Sequence, residues 1–340
     1  MTTLSATLPG LGIVMLSGAL TATFPVPMKF SRAWRWENTW LVYATFALLI
    51  IPLALAAWAV PHLLSLYSSL SLKSLLFPLL FGFGWGIAQV TFGLSIARVG
   101  MAMAFAIVVG LSALLGSVIP LAVFHPKALT GEVGGIFAVS AALLVCGLIQ
   151  YARAGRERER HTGDASSPKG SFRNGLLLCI FTGCFGSMIN VGFVSGGDIA
   201  TEAMHRGASA EFSTLCVWAV VLAAGYLPNA AYTLFLLSRN RSGPAFAKNS
   251  LRETLLALAA AAFWLFGMLG YGIGASKMGT WGNSIGFGVC MAILLLWSTV
   301  LGVFAGEWRL APSRALLRMR YGVALIAAST FLLGFASLLH

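Results

Sequence analysis

Trp85 and Gln89 lie four positions apart in an apolar stretch, a spacing that puts both on one face of a helix. An indole next to a carboxamide suits a sugar, whose C–H face stacks on the ring while its hydroxyls exchange hydrogen bonds with the amide. A second face of this kind carries Trp264 and Met268, with Tyr271 one turn further. Asn190, Asn229 and Asn283 with Ser284 add neutral polar groups in apolar surroundings. Each is either a ligand for substrate or a hydrogen-bonding link between helices. Gly82, Gly84, Gly86, Gly282 and Gly286 allow helices to approach closely or unwind locally. Pro25, Pro27, Pro120 and Pro228 interrupt backbone hydrogen bonding and mark hinge positions.

Titrating groups are scarce where a proton-coupled device would need them. No carboxylate falls in the middle of an apolar run. The nearest are Glu37, Glu307, Asp198 and Glu202, which read as solvated charges at the ends of runs, so proton coupling does not follow from these residues alone. The sequence has no GxxxxGK[ST], its five histidines lack metal-ligand spacing, and its five cysteines fall inside apolar runs without a CxxC pair. A pump, a metal centre or an intramembrane enzyme therefore lacks its parts, and no cofactor is called for.

The elements that must position these residues follow from composition. Only 9% of the 340 residues are charged, 58% are hydrophobic and the mean hydropathy is +0.86, unlike a soluble domain. Apolar runs of about 20 residues are long enough to cross a bilayer as helices. Ten spans are expected, near 8–27, 38–59, 75–96, 100–124, 133–152, 174–196, 212–237, 254–276, 281–304 and 320–338. The first, third, fifth, seventh and ninth connections carry 18 of the 22 Lys and Arg. That asymmetry puts those loops in the cytoplasm and both termini outside. The net charge of +12 thus reports topology; nucleic acid is not an expected partner, the bilayer is.

The stretch WGIAQVTFGLSIARVG at Trp85–Gly100 returns 179 positions later as WLFGMLGYGIGASKMG at Trp264–Gly279. Trp85 then falls on Trp264, Phe92 on Tyr271, Gly93 on Gly272, Arg98 on Lys277 and Gly100 on Gly279. Five spans per half is an odd number, so the second half enters the bilayer in the opposite sense. The expected architecture is an all-α integral membrane protein of ten transmembrane helices as two inverted five-helix repeats. The halves are 1–152 and 174–340, joined by a charged linker at 153–173 that is either solvated or a clamp for anionic lipid. Inverted repeats of this kind build secondary transporters, with the substrate site near the midplane. The other readings are an exporter or facilitator of another small metabolite, a non-transporting membrane sugar sensor and, more distantly, an intramembrane enzyme.

The segment FPVPMKFSRAWRWENTW at Phe24–Trp40, with its P-x-K and W-x-W-E-x-x-W elements, adds a resemblance. Together with Trp85–Leu94, the R-x-G-M-A-M run at Arg98–Met103, Pro228-Asn229 and Gly306–Trp308, it resembles the L-rhamnose/proton symporter family of the drug/metabolite transporter superfamily. The resemblance implies uptake of L-rhamnose or a related deoxy sugar with a proton across a bacterial inner membrane. It also implies an entrance motif at Pro27, Lys29, Trp34, Trp36, Glu37 and Trp40. The expected substrate-binding residues are Trp85, Gln89, Trp264, Asn229, Asn190 and Tyr271, with Glu37 and Glu307 as proton-linked groups. Oligomeric state is not legible.

Overall fold

A computed structural model describes residues 4–99, 101–124, 126–129, 131–162, 172–279, 282–304, 306 and 308–336. Among them all regular structure is helical, and nine helices are long and apolar enough to cross a membrane. Helices are what such runs must form, because within hydrocarbon each backbone N–H and C=O needs a partner from its own segment. In chain order the helices are α1 (Leu4–Thr23), the short turn α2 (Pro25–Met28), α3 (Trp36–Ala44), α4 (Ile51–Ala59), α5 (Leu63–Ser69) and α6 (Leu72–Val99). There follow α7 (Met101–Phe124), α8 (Glu132–Thr162), α9 (Phe172–Gly186), α10 (Met188–Ser195), α11 (Gly197–His205), α12 (Ala210–Asn240), α13 (Ser250–Lys277), α14 (Gly282–Phe304) and α15 (Ser313–Ala336). Where the fourth span was expected, the apolar stretch Ile107–Val123 of α7 is shorter than the other nine.

Three spans are interrupted, the first of them at Phe24 between α1 and α2. α3 passes into α4 through a π-helical stretch, Thr45–Ile50. Pro52 follows at once; it has no N–H for the Leu48 carbonyl and its ring crowds that oxygen, so the turn before it widens. The sixth run extends to His205, well past the expected 196, in three pieces: it breaks at Ser187 between α9 and α10 and at Gly196 between α10 and α11. Irregular backbone at such depth is tolerated where protein buries it, and Ser187 and Asn190 are both buried.

The packing pairs mirror one another. α1 lies along α13 and α14, while α9 and α10 lie along α6 and α7; α8 pairs with α15, and α12 packs on both α4 and α6. Small residues allow the closest of these contacts. A Cβ on Gly86 would stand 2.4 Å from the carbonyl oxygen of Gly225, and Gly10 and Gly274 face each other's carbonyl oxygens at 2.7 Å from such a Cβ.

Two boundaries correct the sequence reading. α8 runs to Thr162, so the first ten residues of the expected linker are helix; residues 163–171 lie outside the described residues. Mixed charges read as linker because they have no core to bury, but here they find partners on α15 and in the turn before it: Glu157 pairs with Arg318, and the Arg158 guanidinium lies 4.9 Å over the Trp308 ring. For the same reason α15 begins at Ser313 and carries Arg314, Arg318 and Arg320 on its first turns, residues expected in a loop.

Candidate functional site

The segment from Trp34 to Trp40 opens α3 and sends aromatic rings inward. Trp36, 47% exposed, stacks on Trp40 at 5.0 Å between ring centroids, the partners being one helical turn apart. Trp40 meets Tyr43 at 4.9 Å, and Tyr43 meets Trp264 edge-on at 6.4 Å. Trp264 stacks on Trp85 at 5.5 Å with 20° between the planes. A continuous aromatic column therefore connects an exposed ring at the end of α3 to the pair Trp85 and Trp264, which are 5% and 4% exposed.

The two tryptophans occupy equivalent places. Trp85 stands 13 residues from Leu72 and 14 from Val99 within α6, and Trp264 stands 14 from Ser250 and 13 from Lys277 within α13. The sequence expected an open indole beside the Gln89 amide; instead Trp85 has one face on Trp264 and also rests on Gly225, where a Cβ would come within 2.7 Å of the ring. Gln89, one turn further along α6, is half-buried and has no hydrogen-bond partner among the described residues. Asn229 supports the pair from α12. Its Oδ1 accepts from the Trp40 indole at 2.9 Å, and its Nδ2 donates to the carbonyls of Gly225 at 2.9 Å and Gly86 at 3.4 Å.

A second polar layer lies seven residues along α13, about 10 Å at the helical rise. Tyr271 donates to Asn190 Oδ1 at 2.5 Å and lies 2.6 Å from the Asn283 carbonyl oxygen. The Asn190 amide donates to the carbonyls of Gly116 at 2.7 Å and Asn283 at 3.2 Å. Asn190 lies in the first turn of the short piece α10, just past the break at Ser187, and its side chain reaches α7, α13 and α14 together. Phe193 and Trp218 stack at 4.4 Å beside Tyr271, and Phe287 meets Tyr271 edge-on at 5.8 Å. The structure thus brings Trp85, Trp264 and Asn229 together in one layer and Asn190 with Tyr271 in another. Neutral amides, a phenol and indole faces can recognise a neutral polyol by stacking and hydrogen bonding.

The carboxylates differ from expectation. Glu37 is not a solvated end-of-helix charge: it is 5% exposed, accepting from the Ser242 hydroxyl at 2.7 Å and the Asn240 amide at 3.0 Å. Glu307 lies outside the described residues. Asp198 and Glu202 are held at the surface by Ser74 and Arg206. Pro27 is buried in the turn α2, and Lys29 is exposed just beyond it. The acid that sequence reasoning missed is Glu253, in the first turn of α13 and 0% exposed. It stands one residue before an expected span and next to Arg252, and the sequence reading did not single it out.

Comparison with known proteins gives a consistent picture. A family profile described as L-rhamnose-proton symport protein matches residues 5–337. The L-rhamnose-proton symporter of Citrobacter koseri is 26% identical over 335 residues, covering 95% of this chain and 96% of that protein. The L-rhamnose-proton symporter of Escherichia coli O1:K1 is 25% identical over 330 residues, covering 94% and 95%.

Proposed function

Because the chain belongs to the L-rhamnose-proton symport family, we propose that it carries L-rhamnose inward together with a proton, by alternating access across a bacterial inner membrane. It is a transporter rather than an enzyme, and it works without a cofactor. Its ten spans form two inverted repeats, 1–152 and 174–340, with both termini on the periplasmic side. The exchange of packing partners between halves supports this, since α1 on α13 and α14 corresponds to α9 and α10 on α6 and α7. The expected 179-residue offset pairs Trp85 with Trp264, and a two-fold axis in the membrane plane would pass between their rings.

That ring pair is the observation that carries the mechanism. It lies midway along two helices of opposite halves, the depth at which inverted-repeat transporters bind substrate. A stacked aromatic pair is worth only ~0.5–1.5 kcal/mol beyond its buried area. A sugar wedged between the rings replaces one ring–ring contact with two ring–sugar faces, so the pair can part for substrate and re-close without it. Gln89 and Asn229 on one side and Asn190 with Tyr271 on the other supply hydrogen bonds to the hydroxyls. Pro27, Lys29 and Trp36 form the cytoplasmic entrance, and the aromatic column is the path between entrance and site. Glu37 and Glu307 are the proton-linked groups of this reading.

Proton co-transport leaves a mark outside the cell. Adding L-rhamnose to a lightly buffered, de-energised suspension of cells expressing the chain is expected to raise the external pH, and a protonophore abolishes the rise. Sugar uptake with no pH change would remove the proton from the proposal.

A further inference from the structure

The junction between α2 and α3 is tied to the junction between α12 and α13 by two carboxylates that reach in opposite directions. From the second half, Glu253 accepts from the Ser31 hydroxyl at 2.5 Å and from the backbone N–H groups of Arg32 at 3.3 Å and Ala33 at 3.2 Å. From the first half, Glu37 accepts from Ser242 and Asn240. Around them Asn38 donates to the Ser242 carbonyl at 3.0 Å, Arg35 to the Asn240 carbonyl at 3.4 Å and Arg252 to the Phe30 carbonyl at 3.0 Å. Trp34 packs edge-on against Phe246 at 5.2 Å. Every one of these bonds crosses from one half of the chain to the other, and this closure between the halves flanks the start of the aromatic column at Trp36 and Trp40.

We infer that this closure is the inner gate of the transporter, and that Glu253 is the positioning residue that holds the loop at Ser31–Ala33 shut across the mouth. The inference rests on the cytoplasmic placement of this face given above. Its chemistry follows from the donor set. Two backbone N–H groups, the Ser31 hydroxyl and the Arg252 guanidinium at 3.4 Å all present hydrogen to the carboxylate, which suits its ionised form, an acceptor at both oxygens. A proton on Glu253 would remove the negative charge that strengthens these hydrogen bonds and so loosen the hold on the loop. The other charged groups on this face are Glu37, engaged as above, Arg35 on the Asn240 carbonyl, and the exposed side chains of Lys29, Arg32, Arg239, Arg241 and Lys248. The donors gathered on Glu253 suit its carboxylate form, so the gate rests closed and acid opens it.

The test reads accessibility and needs no transport. Ala33→Cys in purified full-length protein is labelled with a hydrophilic maleimide at fixed temperature, the rates being corrected for thiol ionisation and referenced to the chain's own cysteines. Glu253→Gln is expected to speed labelling at position 33 about tenfold, as a population shift toward the open loop. Lowering the pH below the ordinary glutamate value of about 4.3 should speed it with Glu253 present and not in the glutamine variant, a difference that a merely structural role would not produce. Ser31→Ala, which removes one donor and leaves the backbone intact, serves if Glu253→Gln does not fold; it is expected to speed labelling about threefold. Equal rates with and without the Glu253 carboxylate, or with and without the Ser31 hydroxyl where that variant stands in, would overturn the gate. Because the readout is independent of sugar, it stands or falls apart from the rhamnose assignment.

Discussion

Gly86→Leu is expected to leave no folded transporter to assay. A Cβ at this position would lie 2.4 Å from the Gly225 carbonyl oxygen, 2.9 Å from its Cα and 3.0 Å from its carbonyl carbon. All three are backbone atoms, so no side chain can swing aside, and the leucine must push α6 from α12. Between membrane helices, close packing contributes what apolar burial contributes in water, and that contact is lost along with the Asn229 bond to the Gly86 carbonyl. Overpacking typically costs ~1–3 kcal/mol where side chains can shift; a helix–helix backbone clash exceeds that range. Gly93→Leu is the control on the same helix, with nothing within 4 Å of its added Cβ. The check is the yield of monodisperse protein in detergent. Wild-type yield from Gly86→Leu would mean that α6 and α12 do not meet as described.

Trp85→Ala is expected to raise the half-saturation concentration for L-rhamnose uptake at least about tenfold, equivalent to ~1.4 kcal/mol of lost binding. The indole supplies one of the two ring faces of the proposed site, and alanine leaves the sugar with Trp264 alone. Truncating a buried ring also opens a cavity, because Trp85 rests on Gly225 as well as on Trp264. Membrane content and melting temperature must therefore be measured beside the kinetics. Trp264→Ala should behave alike, as its partner across the repeat. Unchanged kinetics in a properly inserted Trp85→Ala protein would reject the ring pair as the site.

Much of this arrangement could be read before any coordinates. Apolar runs separated by Lys and Arg locate the membrane helices, because the bilayer imposes length and composition on each segment independently. The pairing of Trp85 with Trp264 was suggested by an offset in the chain, and the two rings stack. Their mutual burial was not legible, since it depends on how α6 and α13 approach. The break at Ser187 carries no proline to announce it, and it stands three residues before Asn190, whose amide donates to the Gly116 carbonyl. Glu253 was passed over for a similar reason: its burial is made by a loop 220 residues away in the chain folding back over it. The charged end of α8 read as linker because its partners, Arg318 and Trp308, come from the far end of the sequence. What the sequence did not disclose is, in each case, a contact between distant segments.

The most direct measurement is uptake of labelled L-rhamnose into proteoliposomes containing the purified protein, with and without an inward-directed proton gradient. Proton-coupled import predicts accumulation above the external concentration under the gradient, lost on adding a protonophore. Equilibration of the sugar to the same level with and without the gradient, in vesicles shown to contain folded protein, would contradict it.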